Sequence, residues 1–127
     1  MAKDGSKKKR KYFRLDCEAW SGSVFVYAGG NFIAATKHFQ RQMKESELVD
    51  PCGKQCQAHM FAYEGQKDCA LWFKWARPPA GAVAHESFHA VRWLLQYSGT
   101  TNLNDDTEEC FAYLLQWLVN EIGQRVW

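Results

Sequence analysis

Beginning at Tyr12 the chain keeps step with a pleated strand. Tyr12–Cys17 and Ser23–Tyr27 are β-prone runs, with Gly22 and Gly29-Gly30 as the breaks beside them. The period then lengthens: Phe32, Ala35, Phe39 and Met43 recur at helical spacing behind Asn31, a good N-cap residue, which predicts a helix over Phe32–Met43. The stretch Lys44–Gln57 is polar, contains Asp50-Pro51 and Gly53, and reads as a loop. Ala58–Glu64 and Cys69–Trp75 are again β-prone, and Gly65-Gln66-Lys67-Asp68 makes them a hairpin. In the second run Cys69, Leu71, Phe73 and Trp75 share one face, and Trp72 and Lys74 the other.

Pro78-Pro79 and Gly81 end the strand pattern, and a helix over about Ala82–Ser98 follows, stopped by Gly99. Ala84, Phe88, Val91 and Leu95 form its apolar row; His85, His89, Arg92 and Gln96 form a polar one. Beyond the loop Thr100–Asn104, a last helix of about Asp106–Gln124 packs through Phe111, Leu114, Leu115, Leu118 and Ile122. Glu109, Tyr113, Gln116 and Asn120 lie on another face. Two helices joined by a short loop pack antiparallel. The pattern predicts one small α+β domain over 12–127, with a short antiparallel sheet, three main helices, and the last two packed antiparallel.

Composition narrows the class. A chain of 127 residues with 46% apolar and 15% aromatic residues supports one core and not two. No window approaches the roughly 18 consecutive apolar residues of a membrane helix, so no membrane role is expected. No apolar segment follows the basic N-terminus, and the odd number of cysteines, 5, favours reduced thiols; together these predict a cytoplasmic protein.

The net charge of +2 hides an asymmetry. Residues 1–14 hold 7 of the 16 basic residues and 1 of the 14 acidic ones, which leaves 9 basic and 13 acidic residues, a balance of −4, for the remainder. Residues 1–11 therefore read as a basic, disordered tail. Its run Lys7, Lys8, Lys9, Arg10, Lys11 is a candidate contact for nucleic-acid phosphates, with solvation as the plainer account.

The chemistry concentrates in His85-Glu86-Ser87-Phe88-His89, an HExxH sequence. Positions i and i+4 of a helix project from one face, so both imidazoles reach a single metal ion, while Glu86 stands beside it as a proton acceptor. Hydrolytic zinc needs three protein ligands and an open position. One Zn²⁺ per chain is expected, and the third ligand comes from Asp105-Asp106-Thr107-Glu108-Glu109. If Asp105 caps the last helix, Glu108 closes a capping box and Glu109 is free for the metal; if Asp106 caps it, the roles exchange and Glu108 is the ligand. A metal-activated water with Glu86 as general base would hydrolyse a peptide bond. Tyr113, one turn past the proposed ligand, is the first candidate to stabilise the oxyanion, with Arg92 and Tyr97 behind it.

The pairing of His85-Glu86-Ser87-Phe88-His89 with Glu109-Cys110-Phe111-Ala112 resembles the gluzincin zinc peptidases, the family of thermolysin. These join HExxH on one helix to a glutamate on the next. The 19 residues between His89 and Glu109 match the thermolysin type and the 18 before Glu108 the aminopeptidase type. The stretch Ala70–Trp75, the HExFHA sequence and the Glu-x-x-Ala-Tyr-Leu-Leu-x-Trp-Leu ending are also similar to small phage- and prophage-encoded metallopeptidase-like proteins, which would place the chain in a host cytoplasm. The resemblance implies a zincin-like fold, a zinc cofactor, and a peptide or protein substrate. That substrate would be paired in extended form along the strand before the active helix, with Trp72, Phe73 and Lys74 as its contacts. Where thermolysin-like enzymes carry an aspartate four residues after the glutamate, this chain has Tyr113.

Two rival readings stand beside this one. The chain could be a non-catalytic, zinc-stabilised interaction module that binds a host protein or nucleic acid. Separately, Cys52-x3-Cys56-x2-His59, with Cys69, is a second candidate zinc set, although its spacing is not that of a ribbon or finger.

Overall fold

The computed structural model describes residues 10–18, 22–45, 56–100 and 102–127. Lys7, Lys8, Lys9 and Cys52 lie outside these, as does most of the expected loop. The chain forms β1 (Lys11–Cys17), β2 (Gly22–Ala28), α1 (Phe32–Met43), β3 (Ala58–Ala62), β4 (Cys69–Phe73), α2 (Ala80–Tyr97) and α3 (Glu108–Val126). It is an α+β fold with one four-stranded sheet in the order β1-β2-β4-β3.

The sheet is mixed, not antiparallel throughout as the hairpin signals predict. β1 pairs antiparallel with β2, and β3 with β4, but β2 and β4 run parallel, with Val24 opposite Cys69 and Ala28 opposite Phe73. Local turn chemistry fixes each hairpin; it carries no information on how two hairpins join. In the centre, every residue of β2 and of β4 is buried. On one face, Val24, Val26, Leu71 and Phe73 pack against Val91, Leu94 and Leu95 of α2 and Leu114, Leu118 and Ile122 of α3. On the other, Phe25, Tyr27 and Trp72 pack with Ala35 and Phe39 of α1.

The helix ends follow the expected chemistry in part. Asn31 Oδ1 accepts the Ala34 amide at 2.7 Å and caps α1. At the other end Lys44 takes the left-handed conformation (φ 59°, ψ 40°) and donates its amide to Arg41 O. α2 starts two residues earlier than predicted, directly after Pro79, whose carbonyl accepts the Val83 amide at 3.1 Å. It stops at Gly99 (φ 93°), which with Thr100 returns its amide to the last turn.

Neither Asp105 nor Asp106 caps α3. Asn104 Oδ1 accepts the Asp106 and Thr107 amides instead, at 2.8 and 3.1 Å, so the helix begins at Glu108. The antiparallel packing of α2 and α3 is pinned where Trp127 Nε1 donates to Pro78 O at 2.7 Å. Gly123 makes room for that indole, since a Cβ there would meet it at 2.8 Å.

Lys11 is not part of a tail. It opens β1, and its ammonium donates to Ala76 O at 3.0 Å and Val126 O at 3.2 Å, tying the strand to the end of α3. Cys56 is disulfide-bonded while Cys69 and Cys110 are free thiols, which corrects the expectation of reduced thiols. An odd total does not say which thiols lie close enough to pair. Among the described residues no helix is long and apolar enough to cross a membrane.

The strained end of α1 provides a test of the fold. Replacing Lys44, held at positive φ, by glycine removes the Cβ penalty of that conformation. Lys44→Gly is expected to stabilise the protein by about 0.5–1 kcal/mol, read as a higher urea midpoint at unchanged slope. An unchanged or lower midpoint would contradict the left-handed cap.

Candidate functional site

α2 meets both the sheet and α3, so its buried arc is wide. Val83, Ser87, Ala90 and Leu94 mark its centre, with Glu86 on one margin and Val91 and Leu95 on the other. The arc is rotated from the apolar row read in the sequence: Ala84 is exposed, Phe88 is 36% exposed, and the small Ser87 and Ala90 are fully covered. Small side chains let the helix approach its neighbours closely, and that closeness outweighs the larger apolar area of Phe88.

The rotation fixes the chemistry of the margin. At roughly 100° per residue, His85 and His89 fall on the solvent side of Glu86. Both imidazoles are exposed, whereas the Glu86 carboxylate beneath them is only 7% exposed. The two Nε2 atoms stand 3.4 Å apart, and Glu86 Oε2 lies 3.9 Å from Nε2 of His85. Two imidazole nitrogens bound to one tetrahedral zinc at about 2.0–2.1 Å would be separated by about 3.3–3.4 Å. For a direct N–H···N bond the same distance is long. The donor pair therefore has the spacing of two ligands of a single ion.

These three residues face the edge strand β3. Ala58, His59 and Met60 close the opposite wall of a cleft of ≈ 300 Å³ that contains His85, Glu86 and His89. Trp72, Phe73 and Lys74, the substrate contacts expected from the sequence, belong to the other arm of this hairpin and do not line the cleft. β4 is interior, between β2 and β3. Trp72 turns to the α1 face, where its Nε1 donates to Gly30 O at 3.3 Å, and Phe73 is fully buried in the core. Lys74 lies past the strand end, with its ammonium 5.5 Å from the Trp75 ring centroid. The missed wall had a sequence signal: Cys69–Phe73 is apolar throughout, as a strand buried on both faces is, whereas Ala58–Ala62 is interrupted by His59, as an edge strand can be.

The second helix does not complete the site. Among the described residues no three His, Cys, Asp or Glu side chains come together as a metal-binding group, so neither Glu109 nor Glu108 joins the histidines. The axial positions explain why. Measured from the Pro78–Trp127 contact, His89 is 11 residues along α2 and Glu109 is 18 residues back along α3, or about 16 and 27 Å at 1.5 Å per residue. Sequence interval alone does not contain this offset of about 10 Å; it depends on where the interhelical loop places the first turn of α3.

Tyr113 is 63% exposed on the outer face of α3, and Tyr97 is engaged elsewhere, its hydroxyl accepting the Gly65 amide at 2.8 Å. Arg92 is exposed. Of the cysteine-based set, Cys52 lies outside the described residues, and the others do not come together. Cys56 is disulfide-bonded, the Cys69 thiol is buried and pushed far up by desolvation, and the His59 ring packs edge-on against Phe32 on the α1 face, with centroids 5.7 Å apart. In comparisons with known proteins, no family model, curated protein or solved structure matches this chain.

Tyr97 and Trp93 hold the β3–β4 turn against α2, the latter by donating Nε1 to Gln66 O at 3.1 Å. A structural role for Tyr97 makes a clear prediction. Tyr97→Phe removes the acceptor of the Gly65 amide and is expected to cost about 0.5–1.5 kcal/mol in urea unfolding while zinc affinity stays unchanged. A stable variant with altered zinc affinity would return Tyr97 to the site.

Proposed function

We propose that the protein is a zinc-dependent hydrolase of peptide bonds, with His85 and His89 as metal ligands and Glu86 as general base. The observation that carries this reading is the 3.4 Å separation of the two Nε2 atoms on an exposed helix margin, with a buried carboxylate beside them. His85 and His89 would hold a divalent ion, which when bound would supply Lewis-acid polarisation of a carbonyl and a water of lowered pKa. Glu86 accepts a proton from the attacking water and delivers it to the leaving amine. Its burial fixes the carboxylate in place, so little reorganisation accompanies the transfer.

Among the described residues β3 is the outer strand of the sheet beside the cleft, and an extended peptide would add to its edge by backbone hydrogen bonds. Ala58 and Met60 would then take the place first given to Trp72, Phe73 and Lys74 as substrate contacts. The likeness to gluzincins supports the same chemistry and a zincin-like reading of the fold. Glu109 remains the proposed third ligand; it joins the pair if the first turn of α3 is drawn along α2 when the metal binds.

The metal assignment is tested first. Zinc titration against a chromophoric chelator should give one site per chain, lost in His85→Ala and His89→Ala. Glu109→Gln should weaken that site strongly, whereas Glu108→Gln should leave it intact. Full zinc affinity in both histidine variants would refute the site, and full affinity in Glu109→Gln would remove Glu109 from it.

Catalysis is tested separately. Glu86→Gln should keep zinc and fold but lose cleavage of a peptide library read by mass spectrometry, because an amide cannot take the water's proton. Equal cleavage by wild type and Glu86→Gln would leave the non-catalytic interaction module as the reading.

A further inference from the structure

On the face of the sheet opposite the histidine pair, a cavity of ≈ 310 Å³ opens between β1, the β2–α1 junction and α1. We infer that this cavity is a binding site for a small organic phosphate, held by Arg10 and Arg41 and stacked against Tyr12. The inference is independent of the hydrolase reading and concerns a separate site.

Charge is the first argument. Arg10, Arg41 and His38 all line the cavity, and none of its lining residues is acidic. Neither guanidinium has a carboxylate partner among the described residues, although the chain forms such pairs elsewhere, at Arg14–Asp16 and Arg125–Glu121. Two unpaired guanidiniums at one cavity favour a doubly charged planar-faced anion, and a phosphate monoester matches their donor geometry.

The backbone supplies the second. The cavity lies at the C-terminal end of β2, which pairs in parallel with β4, and the C-terminal ends of parallel strands are where such sheets characteristically receive ligands. The strand passes into α1 through Gly29 (φ 86°) and Gly30 (φ 78°), a conformation that side chains disfavour. Gly30 also admits the Arg10 stem, since a Cβ there would lie 3.1 Å from Arg10 Cδ. The Gly29 amide is used by Phe73 O at 2.9 Å and the Ala34 amide by Asn31, so the side chains, not a ring of free amides, provide most of the recognition.

The organic part of the ligand follows from the aromatic wall. Tyr12 is 48% exposed, with its ring 5.0 Å from that of Tyr27 and 4.6 Å from that of His38. Tyr27 Oη and His38 Nδ1 are 2.7 Å apart and hold the wall rigid. Burial first, then the charge of Arg41, disfavours protonation of His38, so the imidazole contributes a neutral surface. A flat aromatic face beside a cationic pair suits a heterocycle joined to a phosphate. The volume is at the lower end of small-molecule sites and fits one mononucleotide-sized molecule.

The test is an amide NMR titration of the full chain at low ionic strength with inorganic phosphate, adenosine monophosphate and adenosine. Saturable shifts at Gly29, Gly30 and Asn31 with either phosphate probe, and none with adenosine, are expected. Arg41→Gln and Arg10→Gln should each weaken binding by about 10- to 100-fold while the amides of α3 keep their positions, which shows the variants fold. No saturable shift at millimolar phosphate or nucleotide, equal binding of adenosine, or unchanged affinity in both variants would overturn the assignment. Tighter binding of a short single-stranded oligonucleotide at the same amides would overturn it in favour of a nucleic-acid surface.

Discussion

Two strands without a solvent-facing side chain dictate the layout. β2 and β4 are buried along their whole length on both faces, so each face of the sheet must be covered. α1 covers one side; α2 and α3 cover the other. Because α2 is wedged between sheet and α3, nearly half of its circumference is apolar contact, and the HExxH residues occupy the margin that is left. The margin faces β3, an edge strand of the sheet. The cleft is thus a by-product of sealing the central pair.

This arrangement separates what the sequence could and could not disclose. Each element was legible from its own period and punctuation: Asn31 before α1, Pro79 and Gly99 around α2, Gly65 in the turn. The HExxH pair was legible for the same reason, since i,i+4 convergence is internal to one helix. Relations between elements were not. That β4 lies inside the sheet depends on its parallel pairing with β2, across 40 residues of intervening chain, from Gly29 to Asp68. The rotation of α2 depended on Ser87 and Ala90 being small, which mattered only once two neighbours pressed on the same helix.

The carboxylates at the start of α3 show the limit most clearly. Their interval from His89 matches a known ligand spacing, yet interval measures chain length, and the loop decides where that length is spent. Asn104 draws two amides into its turn and delays the helix to Glu108, which leaves Glu109 about two helical turns from the level of His89. Glu108 and Glu109 are still well placed energetically, since acidic groups in a first turn are favoured by the helix dipole.

The clamp between the β3–β4 turn and the C-terminal half of α2 has a mechanical consequence. Tyr97 and Trp93 hold that turn at one end of β3, while the histidines lie level with the other end, at Ala58–Met60. The far end is fastened as well, since Ala58 pairs with Phe73 and Gln57 O accepts the Lys74 amide at 2.9 Å. The wall of the cleft is therefore held at both ends, and its backbone width is set by the sheet. What can adjust is the lining: Met60, with its unbranched and polarizable side chain, can re-pack around an occupant without moving the strand.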